Sequence, residues 1–296
     1  MWPARRSART AAPDRPTAPA EDISRGAVPD GPLSDGSASG QSQERSTARV
    51  STGDRTIVRT EGLTKVYGVA DSEVRALDGV SIAVAPGEFV AVMGPSGCGK
   101  STLLNLLGGL DSPTSGRVEV DGADLTALPD DRLTELRRRR IGFVFQAFNL
   151  IPVLDAVENA GLPLTLDGAS DADERATRWL TRVGLVDRLH NRPDQLSGGQ
   201  QQRVAVARAL STDPALVLAD EPTGNLDSRS ATEIAELLQQ VAAEWHRSVL
   251  MVTHDPRIAS YAQRLVLMKD GRVVDDLPLD GSREGPVRAM ERAGLL

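Results

Sequence analysis

The stretch Phe89-Val90-Ala91-Val92-Met93-Gly94-Pro95-Ser96-Gly97-Cys98-Gly99-Lys100-Ser101 decides the fold. Its apolar first part reads as a strand. The strand runs into a glycine loop of the form G-x-x-x-x-G-K-[ST]. The Leu-rich run from Ser101 and Thr102 to Leu107 then reads as a helix that closes at Gly108-Gly109. A strand, loop and helix with this spacing cradle phosphate. The glycines let backbone N–H groups curl around the β- and γ-phosphates, and the helix N-terminus adds positive potential. Lys100 supplies a point charge, and the Ser101 hydroxyl is positioned to ligate Mg²⁺.

Working outward, the apolar run Leu216-Val217-Leu218-Ala219 ends in Asp220-Glu221. Carboxylates at the end of a buried strand are costly unless they serve a metal or a proton. Asp220 is read as part of the Mg²⁺ shell, and Glu221 as the group that orients or deprotonates a water. Between loop and acids lies Leu196-Ser197-Gly198-Gly199-Gln200, which opens a helix through Arg203, Val204, Val206, Ala207 and Leu210. A serine and two glycines there make either a second anion site or an ordinarily capped helix. One phosphate needs only one such cradle per chain, so a second invites a phosphate held by another copy.

Residues 56–58, 80–84 and 141–145 read as strands, and Arg117-Val118-Glu119-Val120 alternates like a half-exposed one. Residues 129–140 read as a helix with acids in its first turn and Arg137 to Arg140 at its end. Those arginines suit either a solvated helix end or contact with anionic lipid or a partner. Residues 155–191 turn helical and polar, and a last hairpin pairs 265–268 with 272–274. Strands and helices that alternate, with near-continuous apolar strands, imply a buried, mostly parallel sheet.

Of 296 residues 40% are apolar and 25% charged, so most of the chain can bury a core. The formal charge of −7 argues against a general nucleic-acid partner. A single cysteine, Cys98, excludes an intrachain disulfide and fits a reducing compartment. Its place in the loop suggests sensitivity to thiol reagents. No apolar run approaches the ~20 residues that span a bilayer, and no apolar segment follows Arg5-Arg6 as in a signal peptide. The chain reads as cytoplasmic. Residues 1–55 have few large apolar side chains and read as a disordered tail.

With the Leu-Ser-Gly-Gly-Gln stretch in place, the chain resembles the nucleotide-binding subunit of an ATP-binding cassette (ABC) transporter. The likeness covers about residues 56–275. It implies an α/β fold, a P-loop NTPase (RecA-like) core with an antiparallel β subdomain and an α-helical subdomain inserted at about 147–200. The ATPase domain would occupy 56–280, with a C-terminal tail at 281–296. Two copies would pack head to tail as a homodimer, trapping ATP and Mg²⁺ between one copy's loop, residues 94–102, and the other's Ser197, Gly198, Gly199 and Gln200. The resemblance further implies that Tyr67 stacks on adenine, that Gln146 contacts Mg²⁺ and the nucleophilic water, that the loop Asn225-Leu226-Asp227 communicates across the dimer, and that His254 senses the γ-phosphate. Taken alone, Tyr67 reads as a packing residue, Gln146 as a surface amide and His254 as a loop histidine.

Residues 145–152, Phe-Gln-Ala-Phe-Asn-Leu-Ile-Pro, resemble the macrolide-export and lipoprotein-release branch, as do residues 74–80 and 106–111. That branch pairs with separate integral-membrane permeases, which implies a peripheral place at the inner face of the membrane. Phe148, Leu150 and Ile151 would form either a groove for a permease helix or core. The departures from the family pattern are the N-terminal tail and a short insertion at 69–73. The expected function is ATP hydrolysis coupled to export through a permease. The alternative is a regulatory ATPase that transmits force to an envelope partner without transport.

Overall fold

The computed structural model describes residues 56–68 and 72–295. The expected disordered tail at 1–55 and part of the insertion after Tyr67 lie outside the described residues. The strands are β1 (Val58–Tyr67), β2 (Val74–Val80), β3 (Ala83–Val84), β4 (Phe89–Met93), β5 (Ser115–Val120), β6 (Ala123–Asp124), β7 (Ile141–Phe145), β8 (Leu216–Asp220), β9 (Ser248–Val252), β10 (Arg264–Lys269) and β11 (Arg272–Pro278). The helices are α1 (Lys100–Leu107), α2 (Asp130–Arg140), α3 (Ala156–Leu166), α4 (Ala172–Arg182), α5 (Gly198–Leu210), α6 (Ser228–Ala243), α7 (Pro256–Ala259) and α8 (Gly285–Arg292).

The central sheet has six strands in the order β11-β10-β4-β9-β8-β7, parallel except for β11. Its strands are apolar on both sides because both faces are covered. Phe89, Ala91 and Met93 point into one cluster with Val217, Ala219, Val249 and Met251. Val90 and Val92 point into the other with Leu216, Leu218, Leu250 and Val252. The first cluster packs under α3 to α6, and the second under α1 and the antiparallel sheet. That second sheet runs β2-β1-β5-β6, with β3 also paired to β1.

Residues 80–84, read as one strand, are split. The buried Thr60 hydroxyl donates to the Val80 carbonyl at 3.2 Å and accepts from the Ile82 N–H at 2.9 Å. Ser81 meanwhile accepts from the Gly62 N–H at 2.9 Å. These side-chain bonds replace ladder bonds, so the run divides into the end of β2 and the two-residue β3. Strand β1 is correspondingly longer than 56–58.

The four arginines at the end of α2 are each tied to a neighbouring part of the chain. Arg137 donates to the Gly109 carbonyl at 2.6 Å, Arg138 to that of Leu166 at 3.3 Å, Arg139 pairs with Asp167 at 3.2 Å, and Arg140 pairs with Asp121. Their placement fixes α2 against α3 and the antiparallel sheet, and does not favour the lipid-contact reading. Residues 281–296, read as a tail, include α8, whose Ala289 and Met290 are buried in the first cluster.

Candidate nucleotide site

Parallel strands deliver their C-terminal ends to one edge of the sheet, and ligands of such sheets bind there. Phe145, Asp220 and Val252 are in register across β7, β8 and β9, and Val252 is in register with Val92 of β4. The residues just beyond are Gln146, Glu221, Thr253-His254 and the Gly94 loop. Four sequence candidates far apart in the chain therefore meet at this edge.

The loop leaves β4 with no room for side chains at two places. A Cβ on Gly94 would lie 2.1 Å from the Met268 carbonyl oxygen, and one on Gly99 would lie 2.3 Å from that of Ala76. Gly99 also has φ +99°, a left-handed value that starts α1. Within the loop Lys100 Nζ donates to the Gly94 and Pro95 carbonyls, each at 2.9 Å. Lys100 is buried within the curl of the loop. Cys98 is buried, and burial pushes its thiol pKa up. Both work against the expected sensitivity to thiol reagents.

Ser101 Oγ donates to Asp220 Oδ1 at 3.2 Å. Burial raises the Asp220 pKa, against the opposing pull of the Ser101 hydrogen bond and the Lys100 charge. Glu221 has φ +46°, a strained backbone for a residue with a Cβ. Its N–H is held by the Val252 carbonyl at 3.0 Å, and its carboxylate lies 2.9 Å from His254 Nδ1. His254 is thus oriented by Glu221 while its side chain stays 73% exposed.

Gln146 is exposed and donates to Asn225 Oδ1 at 3.2 Å, while Asn225 Nδ2 donates back to the Gln146 carbonyl at 3.0 Å. Asn225 therefore joins the site as the partner of Gln146. Asp227 caps α6 by accepting from the Arg229 and Ser230 N–H groups, each at 3.0 Å. Those backbone bonds, with the Ser230 hydroxyl, hold its carboxyl below the usual range.

At the start of α5, Ser197 Oγ accepts from the Gln200 N–H at 3.3 Å and Gln200 Oε1 accepts from the Ser197 N–H at 2.9 Å. This capping box fits the reading of an ordinarily capped helix. It does not use up the anion-binding potential, because Ser197 is exposed and the other first-turn N–H groups remain. Among the described residues no hydrogen bond joins residues 197–200 to the phosphate loop. The structure gathers the loop, Gln146, Asp220, Glu221 and His254 at the sheet edge and leaves Ser197 exposed.

Tyr67 is 40% exposed. Its hydroxyl donates to Asp111 at 2.8 Å, and Lys65 Nζ sits 4.8 Å from its ring centroid while pairing with Asp111 at 2.6 Å. The ring is fixed at its rim and by one cation, as an aromatic platform should be. Lys65 and Asp111 carried no local signal in the sequence.

Beside the site, a groove of about 480 Å³ opens between β7, α2 and α3, lined by Phe143, Phe145, Leu162, Leu166, Asn149 and Arg208 among others. Phe148, Leu150 and Ile151, expected at such a groove, do not line it. Leu150 packs against the first cluster, and Ile151 is 37% exposed.

Comparison with known proteins agrees with this geometry. A family model described as ABC transporter matches residues 77–224. An uncharacterized ABC transporter ATP-binding protein of Thermotoga maritima is 49% identical over 71% of this chain and 90% of its own length. The macrolide export ATP-binding/permease protein MacB of Syntrophobacter fumaroxidans is 47% identical over 75% of this chain and 32% of its own length. The chain thus spans about a third of that relative. Among solved structures, the dimeric post-hydrolysis state of the ATP-binding cassette MJ0796 bound to ADP and Pi is similar, with a TM-score of 0.69 and 45% identity over 76% of this chain and 100% of that one. With its phosphate loop, acidic strand end and outward-facing Ser-Gly-Gly-Gln helix, the chain belongs to the ABC transporter family as an ATP-binding cassette.

Proposed function

We propose that this chain binds and hydrolyses ATP as the energising subunit of an export-type permease, working as a homodimer closed by nucleotide. The observation that carries the reading is the separation of its two anion sites. The loop at 94–102 and the edge residues form one wall of a pocket, while Ser197, Gly198 and Gly199 stand apart and face outward. Two copies in head-to-tail arrangement would each complete the other's pocket, as the two-fold symmetry of homodimers allows. The similar MJ0796 structure, described as dimeric and bound to ADP and Pi, supports that arrangement.

In this reading Lys100 and the loop N–H groups hold the phosphates and Tyr67 stacks on adenine. Glu221 accepts a proton from the attacking water, and His254, held by Glu221, contacts the γ-phosphate. Asp227 and its helix lie at the dimer boundary. The hydroxyl, carboxylate and amide oxygens of Ser101, Asp220 and Gln146 form the hard-oxygen donor set that suits Mg²⁺. Mg²⁺ so held would offset the charge on the β- and γ-phosphates.

The groove beside Gln146 would seat a permease helix, so that closure moves the partner. Among the described residues no helix is long and apolar enough to cross a membrane, and a place at the inner face would come through that partner. Glu221→Gln tests the assignment. It should bind ATP with near wild-type affinity, lower steady-state turnover about 100-fold or more, and accumulate ATP-dependent dimers in sedimentation velocity. Phosphate release near the wild-type rate would remove Glu221 from this role.

A further inference from the structure

Gln202 sits in the second turn of α5 and is fully buried. Its Nε2 donates to the Phe145 carbonyl at 3.3 Å and to the Pro222 carbonyl at 2.7 Å. Phe145 immediately precedes Gln146, and Pro222 immediately follows Glu221. One side chain therefore holds the backbone of both polar loops, and it does so from the helix that begins with Ser197–Gln200. Its Oε1 is buried and has no hydrogen-bond partner among the described residues.

An apolar side chain of the same length would fill this space without an unmet acceptor, which is costly in a protein interior. The stabilisation of the two carbonyls is set against this unmet acceptor, so stability accounts for the amide only in part. What the amide adds is direction: two N–H bonds aimed at two carbonyls. Glu221 needs such a constraint, since its left-handed backbone persists only where its surroundings over-determine it. Farther along α5, Arg208 grips the Phe148 and Asn149 carbonyls at 2.8 and 2.5 Å, and both of those residues also have positive φ. The loop carrying Gln146 is thus fastened to α5 at two points, and the loop carrying Glu221 at one.

We propose that Gln202 is a positioning residue that couples the two composite nucleotide sites. When the first turn of α5 engages the partner's nucleotide, any shift of the helix is passed through the Gln202 amide to the backbone at Gln146 and Glu221. The chain's own site then turns over faster when its neighbour's is filled. The proposal rests on the roles of Gln146 and Glu221 given above.

Gln202→Met keeps the length and packing of the side chain and removes both donors. Nucleotide affinity of the isolated chain should stay within roughly twofold, while turnover at saturating ATP falls about tenfold or more. The ATP dependence of turnover should flatten toward a Hill coefficient of one. Unchanged turnover and cooperativity would overturn the proposal. So would equal losses in affinity and turnover with a lowered melting midpoint, which mark a purely structural role. Gln202→Glu gives a second reading: its ionised form faces two carbonyl oxygens, and its protonated form regains one donor. Its turnover relative to wild type should therefore rise as pH falls, and a profile parallel to wild type would overturn the coupling. Failure of the underlying assignment shows separately, as wild-type turnover in Glu221→Gln while the Gln202→Met defect persists.

Discussion

Asp220 places function and stability in opposition within one carboxyl. Burial raises its pKa more than Ser101 and Lys100 lower it. A carboxyl whose folded pKa lies above its unfolded value binds its proton more tightly in the native state. The folded state therefore loses stability as pH rises from the ordinary carboxylate value through the raised one, and the loss persists above that window. In nucleotide-free protein, Asp220→Asn should melt about 1–3 °C higher than wild type at pH 7. The difference should vanish on acidification through the carboxylate range, and the variant should lose metal-dependent turnover. Thermal melts at both pH values check the sign; equal midpoints at pH 7 would show that solvent already screens the charge. Lys65 and Asp111 make the contrasting case. Burial alone would raise the Asp111 pKa, but hydrogen bonds from Lys65 and Tyr67 hold it below the usual range, so that carboxylate is matched before any ligand arrives.

At the scale of elements, legibility followed the range of the interactions. Strands β4, β8 and β10 were evident because burial on both faces writes a continuous apolar run, and the loop between β4 and α1 follows from its glycines. The splitting of residues 80–84 was hidden because it depends on Thr60, some twenty residues away. The 79-residue separation of Gln146 and Asn225 hid their pairing in the same way, and Gln202 looked like one more polar position in a helix. Helix α8 was missed because three buried positions, Pro286, Ala289 and Met290, in a short polar segment leave too weak a period to read. Asn159 shows how strong such a hidden tie can be. It is fully buried in α3 and exchanges hydrogen bonds with Ile151 N–H and with the Ile151, Leu154 and Asp155 carbonyls. These bonds set the loop by which the chain enters the helical insertion. Asn159→Leu would strand several buried backbone groups, and should cost about 2–4 kcal/mol in urea denaturation. A loss below about 0.5 kcal/mol would mean that the loop finds other partners.

For the whole molecule, the feature behind the proposed dimer is that the phosphate loop and residues 197–200 of one chain share no hydrogen bond among the described residues. Residues 197–200 lie at the start of α5, and Gly199 packs close enough to α6 that a Cβ there would fall 3.0 Å from Ser230 Oγ. The helix start and the Asp227 cap therefore form one face of the molecule, while the phosphate loop stands at the ends of β4 and α1. If a working pocket draws its walls from two chains, defects in the two half-sites should complement each other. Lys100→Ala and Ser197→Arg should each be inactive as homodimers, since every pocket then has one damaged wall. In a mixed dimer, both defects fall in the same pocket and leave the other intact. Random pairing of equal amounts makes about half the dimers mixed, each with one good pocket of two. Turnover should recover to about a quarter of wild type if the pockets act independently. The coupling proposed for Gln202 makes them dependent, so recovery should fall below that value. No recovery in any mixture, with each variant folded and able to dimerise, would mean that both walls of a pocket come from a single chain.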